Sequence, residues 1–271
     1  MVHWTLDDIP WDSFDPSKVD PDILRIVKAA ALVERNGGDY ARYLCNVFHD
    51  DPDFQAVANR WGVEEAQHGE ALARWATLAD PSFDFAAASE RFTKGFRVDL
   101  DAQSSVRGTR SGELVARCIV ETGTSSYYTA MAEATQEPVL RAVCQRIAAD
   151  ELRHYKLFYK TMRDYLEREG LGRWDRLRIA AGRIRETEDD ELAYAYYAAN
   201  EPEGDYDRVR YSHAYGSRAF SLYRPHHLER GMAMIFKAVG LSPNGRLNRL
   251  ANRLAWWFMQ SKVARMQRMA V

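Results

Sequence analysis

Trp61-Gly62-Val63-Glu64-Glu65-Ala66-Gln67-His68-Gly69 and Ala148-Ala149-Asp150-Glu151-Leu152-Arg153-His154 share one pattern, Glu-x-x-His, repeated 86 residues apart. On a helix, an i,i+3 spacing puts both side chains on one face. Each motif is preceded by a lone Glu at nearly the same distance. Glu34 stands 31 residues before Glu65, and Glu121 stands 30 before Glu151. The chain therefore repeats a unit of one Glu followed by Glu-x-x-His.

The surrounding sequence reads as helix. Long segments at about 22–48, 53–78, 111–135 and 137–169 are rich in Ala, with apolar residues three and four apart and no period-2 alternation. Pro21, Pro52 and Pro138 follow acidic residues at three of the starts, and Gly170 and Gly172 close the last segment. A connection of about thirty residues, 80–110, joins the second and third segments, with one short helix predicted at 83–96. Further helices are predicted at 173–199, 206–222, 224–239 and 244–269. The fold class is all-α. Residues 1–20 are expected to pack on a four-helix bundle of residues 21–170 with a long crossover, and 171–271 to add helices that end in a basic amphipathic one.

Spacing places the repeated acids at one level. Glu34 and Glu65 lie about 13–16 residues on either side of the 49–52 turn, or roughly 20–23 Å from it at 1.5 Å per residue. Glu121 and Glu151 flank the 136–137 turn equally. Glu34 shares a stripe with Val27, Ala30, Ala31, Gly38, Ala41 and Cys45; Glu151 shares one with Cys144, Ile147, Ala148, His154 and Phe158. These are the faces that a helix turns inward. Four inward carboxylates without partners are very costly, and Arg117 is the sole basic residue near enough in sequence to offset them. Two divalent cations cancel four carboxylates, with two imidazoles completing the coordination. A single Glu-x-x-His is usually a solvated face, but the paired units fit the dinuclear pattern of four-helix bundles.

The predicted ligands are Glu34, Glu65, His68, Glu121, Glu151 and His154. Carboxylate-rich sites with two His and no thiolate suit iron, with manganese the alternative, and argue against structural zinc. Ligating imidazoles donate their other N–H to a carboxylate. Asp150 is expected to hold His68 across the bundle, and Glu64 to serve His154.

Composition sets the outer bounds. The 271 residues are 46% hydrophobic and 28% charged, which suits a globular chain and excludes a collagen-like or disordered one. No apolar run approaches the ~20 residues of a membrane-spanning helix. The opening residues are acidic and aromatic, unlike a secretory signal. Cys45, Cys118 and Cys144 form no close pair, so neither a disulfide framework nor a Cys-rich zinc site is expected, and a reducing cytoplasm fits. The net charge of −2 conceals an asymmetry. From Arg208 onward twelve Lys and Arg face Glu229 alone, a charge of +11 that leaves −13 for residues 1–207.

The two motifs resemble the metal-binding helices of the soluble acyl-carrier-protein desaturases, a branch of the ferritin-like di-iron carboxylate superfamily. The resemblance spans about residues 20–170. It implies a non-haem di-iron oxidoreductase that activates dioxygen for C–H oxidation, with two iron ions cycling between Fe2+ and Fe3+ and an external ferredoxin-like electron donor. Thr124 matches a Thr on the oxygen side of the metals in desaturases, although a helix Thr also bonds its own backbone. By the same likeness, Asp150 and His68 would continue to an N-terminal electron-relay tryptophan, Trp11 or Trp4. The chain is shorter than a plant desaturase. Leu72 stands where reductase small subunits carry a radical Tyr, and the Cys-x-x-Cys module of rubrerythrins is missing. A hydroxylase, N-oxygenase or peroxidase acting on a small molecule stays open, as does a metal-binding or storage protein without turnover.

The basic tail points to a partner. Leu247, Leu250, Leu254 and Phe258 line one face of the last helix, with Arg246, Arg249 and Arg253 beside it. An acidic acyl carrier protein suits this surface, a membrane surface is the next option, and pairing of these arginines with the acidic first half is the plainest. Nucleic acid is not expected, since no recognisable module accompanies the charge. A homodimer is left open.

Overall fold

The structure is a computed structural model that describes residues 3–186, 190–201 and 203–269. It is all-α, with no strand among the described residues. Four long helical limbs form the bundle. The first is split into α1 (Pro21–Arg35) and α2 (Gly37–Val47); the others are α3 (Pro52–Ala79), α5 (Arg110–Ala134) and α6 (Pro138–Glu169). The crossover between α3 and α5 holds the short α4 (Phe85–Gly95).

The helix starts are fixed by side-chain caps. Asp20 accepts from the Asp22 and Ile23 amides, Asp51 from Phe54, Thr109 from Gly112 and Glu137 from Leu140, at 2.7–3.1 Å. Each such cap contributes about 1 kcal/mol. Gly170, at φ 67°, closes α6 in the left-handed conformation that glycine tolerates.

The single helix expected at 22–48 is broken at Asn36, whose amide turns back to Val33 and Glu34. The break has a packing cause. A Cβ on Gly37 would lie 2.2 Å from Cβ of Glu65, and one on Gly69 would lie 2.6 Å from the Arg35 amide nitrogen. Only glycine permits α1 and α2 to step against α3 here, and the step falls beside Glu34.

Two apolar clusters fill the bundle at different heights. One contains Ile26, Leu32, Leu72, Trp75, Tyr128, Val143 and Ile147; the other contains Phe48, Phe54, Trp61, Leu114, Val115 and Phe158. All are nearly or fully shielded from solvent. The repeated acids and histidines lie between the two clusters.

The segment before α1 is a strap of three single 3-10 turns. Glu137 anchors it by accepting from the Asp15 amide at 3.1 Å and from Trp75 Nε1 at 2.7 Å. Beyond α6 come α7 (Arg173–Glu186), α8 (Asp190–Asn200), α9 (Arg208–Ser221), α10 (Pro225–Ala238) and α11 (Arg246–Met269). The segment predicted as one helix at 173–199 is thus α7 and α8, and residues 187–189 between them lie outside the described residues. Ala193, Tyr196, Ala199, Tyr211 and Ala219 of α8 and α9 join the core cluster of Ile26 and Leu32. No helix among the described residues is long and apolar enough to cross a membrane.

Candidate metal centre

The structure brings all six predicted ligands together at mid-bundle. Glu34 comes from the end of α1, Glu65 and His68 from α3, Glu121 from α5, and Glu151 and His154 from α6. Every one of them is at least nine-tenths buried. Ligand-capable atoms of Glu34, Glu65, His68 and Glu151 lie within 4.8 Å of one another, as do those of Glu65, Glu121, Glu151 and His154. Glu65 and Glu151 belong to both groups, as bridging carboxylates between two neighbouring cation positions would.

The imidazoles are aimed inward through Nδ1. His68 Nδ1 lies 3.2 Å from Glu151 Oε1 and 3.7 Å from Glu34 Oε2; His154 Nδ1 lies 3.0 Å from Glu65 Oε1 and 3.6 Å from Glu121 Oε2. None of these contacts has hydrogen-bond geometry. Both Nδ1 atoms, both Glu121 oxygens and one oxygen each of Glu65 and Glu151 are buried with no hydrogen-bond partner. Buried polar atoms are nearly always satisfied, so orphans on six converging atoms call for a ligand. Divalent cations fit this donor set of four carboxylates and two imidazoles.

The outward nitrogens are held. His68 Nε2 is 3.1 Å from Asp150 Oδ2, and His154 Nε2 is 2.6 Å from Glu64 Oε2. An N–H at Nε2 leaves the Nδ1 lone pair for a metal. Arg153 joins the two supporting acids, with Nη1 on Asp150 Oδ1 and Nη2 on Glu64 Oε2, each at 2.5 Å. Sequence reasoning missed Arg153, although its i,i+3 distance from Asp150 is a readable signal. It also missed Tyr128, whose hydroxyl donates to Glu34 Oε1 at 2.5 Å and which lies two helical turns after Glu121.

Trp4 and Trp11 are separated by the structure. Trp4 Nε1 donates to Asp150 Oδ2 at 2.7 Å, and its ring stacks on His68 with a centroid distance of 6.0 Å. Trp11 donates instead to the Leu6 carbonyl and lies under Arg74, so it does not reach Asp150. Thr124 Oγ1 is 2.5 Å from Glu151 Oε2, and 3.2 and 3.3 Å from the Val120 and Glu121 carbonyls. Its one proton has three acceptors, and the carboxylate is the nearest. Arg117 does not neutralise the acids. It faces Glu113 at 3.9 Å and the rings of Tyr40 and Trp61.

The electrostatics show what takes the place of cations in the bare protein. Burial disfavours the imidazolium forms, yet Asp150, Glu151 and Glu34 outweigh it at His68, and Glu121, Glu64 and Glu65 outweigh it at His154, so both pKa values rise well above normal. Burial, then the neighbouring Glu151 and Glu34 charges, pushes Glu65 far up, and burial with Glu151 raises Glu121 to about 8. Burial is also the largest influence at Glu151, but the two histidines overcome it and lower that pKa. Burial opposes ionisation of Glu64 and Asp150 too, and their His and Arg partners still hold both at about 2. Protons gather where positive charge is missing.

A second cluster, Glu133, His226 and His227, is differently made. His227 Nδ1 accepts the Arg224 amide at 3.0 Å, so its neutral ring carries the proton on Nε2 and donates it to Glu133. That nitrogen has no lone pair for a metal; His227 caps the start of α10, and Glu133 of α5 holds its ring.

No curated protein matches the chain. Residues 44–173, which hold every residue named for the centre except Glu34 and the strap residue Trp4, match the family model described as fatty acid desaturase, a family of the ferritin-like di-iron superfamily that also contains the acyl-carrier-protein desaturases.

Proposed function

We propose that this protein is a di-iron oxidoreductase that desaturates a fatty acyl chain, with iron held by Glu34, Glu65, His68, Glu121, Glu151 and His154. The observation that carries the reading is the convergence of six orphaned ligand atoms inside the desaturase-matched stretch. In balance, the acyl –CH2–CH2– unit, dioxygen, two electrons and two protons give –CH=CH– and two waters. When bound, the metal pair supplies reductive activation of dioxygen and the oxidising power for C–H cleavage.

The chain's own residues do the rest. Asp150 and Glu64 fix the histidine rings with Nδ1 inward, and Arg153 locks both acids in place. Leu72, Ile147 and Phe158, fully buried above and below the site, exclude water from it. Thr124 holds a proton at Oγ1 against Glu151 Oε2, at the edge of the ligand cluster. Trp4, Asp150 and His68 form a continuous contact from the strap to the centre, the path we assign to electrons from a ferredoxin-like donor. An acyl thioester on a carrier protein is the proposed form of the substrate.

The test is metal content after reconstitution with ferrous iron under anaerobic conditions. Two irons per chain and an oxo-bridged ferric absorption after exposure to air are expected. Glu121→Ala and His68→Ala should each abolish stoichiometric binding. Two irons retained in either variant would sink the ligand assignment. Double-bond formation is then read by mass spectrometry on acyl carriers; insertion of one oxygen atom instead would favour a hydroxylase.

A further inference from the structure

The last helix is apolar on two sides, and only one of them is covered. Leu247, Leu250, Leu254, Trp257 and Phe258 of α11 are 55–67% exposed. The side facing α9 and α10 carries the buried Asn248, Val263 and Met266 and the half-buried Ala251, Asn252, Ala255, Trp256 and Met259. A helix on a globular surface usually buries one apolar stripe and exposes a polar face, so the second, exposed stripe is an apolar face in want of cover. The exposed stripe runs for about 16 Å at 1.5 Å per residue.

Its charge says what covers it. The helix contains Arg246, Arg249, Arg253, Lys262, Arg265 and Arg268 and no acidic residue. Arg246, Arg249 and Arg253 are exposed and form no ion pair among the described residues, so the acidic first half of the chain does not neutralise them. Against a second copy of the same helix, two all-cationic flanks would meet, and like charges oppose that pairing. An apolar row with Trp and Phe, bordered by arginines and lacking acids, has the composition of helices that lie in the headgroup layer of an anionic bilayer. Arg176 packs on Gly240 in the turn before α11, which brings the start of α7, with the exposed Arg173 and Trp174, beside that turn.

We infer that α11 docks this protein on an anionic lipid surface, its Leu–Trp–Phe stripe entering the headgroup layer and Arg246, Arg249 and Arg253 meeting lipid phosphates. This inference does not depend on the metal centre, since the stripe and its charges are properties of α11 alone.

The experiment is co-sedimentation of the full chain with vesicles, either pure phosphatidylcholine or equal parts phosphatidylcholine and phosphatidylglycerol, at about 0.1 M salt. Binding to the anionic vesicles and little to the neutral ones is expected. Each arginine near such a surface is worth roughly a fivefold change in partitioning, so R246Q/R249Q/R253Q should bind on the order of a hundredfold more weakly. L254S/W257S/F258S should also lose binding, with the native circular dichroism retained because these side chains are solvent-exposed. Equal binding to both vesicle types, or none to either, overturns the proposal. So does a solution mass of two chains that falls to one in L254S/W257S/F258S, since a second copy would then cover the stripe. Saturable binding to an acidic acyl carrier protein without vesicle binding overturns it too, and assigns α11 to that partner.

Discussion

Glu151 Oε1 lies 3.2 Å from His68 Nδ1, so the carboxylate of one Glu-x-x-His motif faces the imidazole of the other. The reverse pair, Glu65 and His154, closes to 3.0 Å. Each half of the repeat therefore brings its carboxylate to the imidazole of its counterpart. Glu65 and Glu151 are shared by both ligand groups, so replacing either should disturb both metal positions of the proposed centre. Glu151→Gln is expected to reduce iron stoichiometry below one per chain, as measured by metal analysis after desalting. Loss of a single ion with the second retained would show that the two positions are independent.

Asp150→Asn keeps the size of the side chain and removes its charge. Supporting carboxylates of this kind typically contribute 10–100-fold to metal affinity, so a drop of about that size is expected by competition with a chelator. Arg153→Gln should show a smaller loss, because the two acids it joins keep their histidines.

The metal-free protein should be most stable in mild acid. His68 and His154 have folded pKa values above their unfolded values, so the stability they confer is full below about pH 6.5 and is lost as pH rises through the folded values. Glu121, raised to about 8, acts in the same direction from about pH 4.5 upward. Glu64 and Asp150, held near 2, act oppositely, and their contribution disappears as pH falls from about 4 toward 2. Thermal melts of the metal-free chain should peak between these windows and decline toward pH 8. Ferrous or manganous ions should abolish the alkaline decline, and their affinity should rise with pH as protons leave the ligands. A pH-independent affinity would contradict the protonated site.

Gly37→Ala tests the step between α1 and α2. The added Cβ meets Glu65 at 2.2 Å, and overpacking of this kind costs about 1–3 kcal/mol. Gly38→Ala meets nothing within 4 Å and should be neutral or stabilising. Denaturant melts separate the two, and only the first should also weaken metal binding.

Trp4→Phe removes the hydrogen bond to Asp150 and keeps an aromatic ring, at about 1 kcal/mol of stability. It should slow turnover fed by an external reductant while leaving metal stoichiometry intact. Trp11→Phe, which lies away from Asp150, should leave that rate unchanged.

Much of the site was legible because helical geometry is regular. A fixed rise per residue carried Glu34, Glu65, Glu121 and Glu151 to one level from their distances to the turns, and the i,i+3 rule carried the histidines with them. The break at Asn36 was not legible, because it depends on how closely α3 approaches Gly37. The selection of Trp4 over Trp11 rests on the path of an irregular strap, which has no period to read. Tyr128 acts on Glu34 of another helix, and so does Arg153 on Glu64, which spacing along one helix does not show; the i,i+3 step from Arg153 to Asp150 was the readable half. The exposed direction of the Leu247–Phe258 stripe was equally hidden. Periodicity identifies an apolar face, but neighbouring helices decide whether it is covered.

Glu137 binds the strap through the Asp15 amide, α3 through Trp75 and its own helix through the Leu140 amide. Trp4 meets α6 at Asp150, and its carbonyl accepts from Gln67 of α3. The strap's seat is therefore made jointly by α3 and α6, and neither helix supplies it alone. Any loosening of α3 from α6 would unseat the strap as well, and with it the ring that stacks on His68.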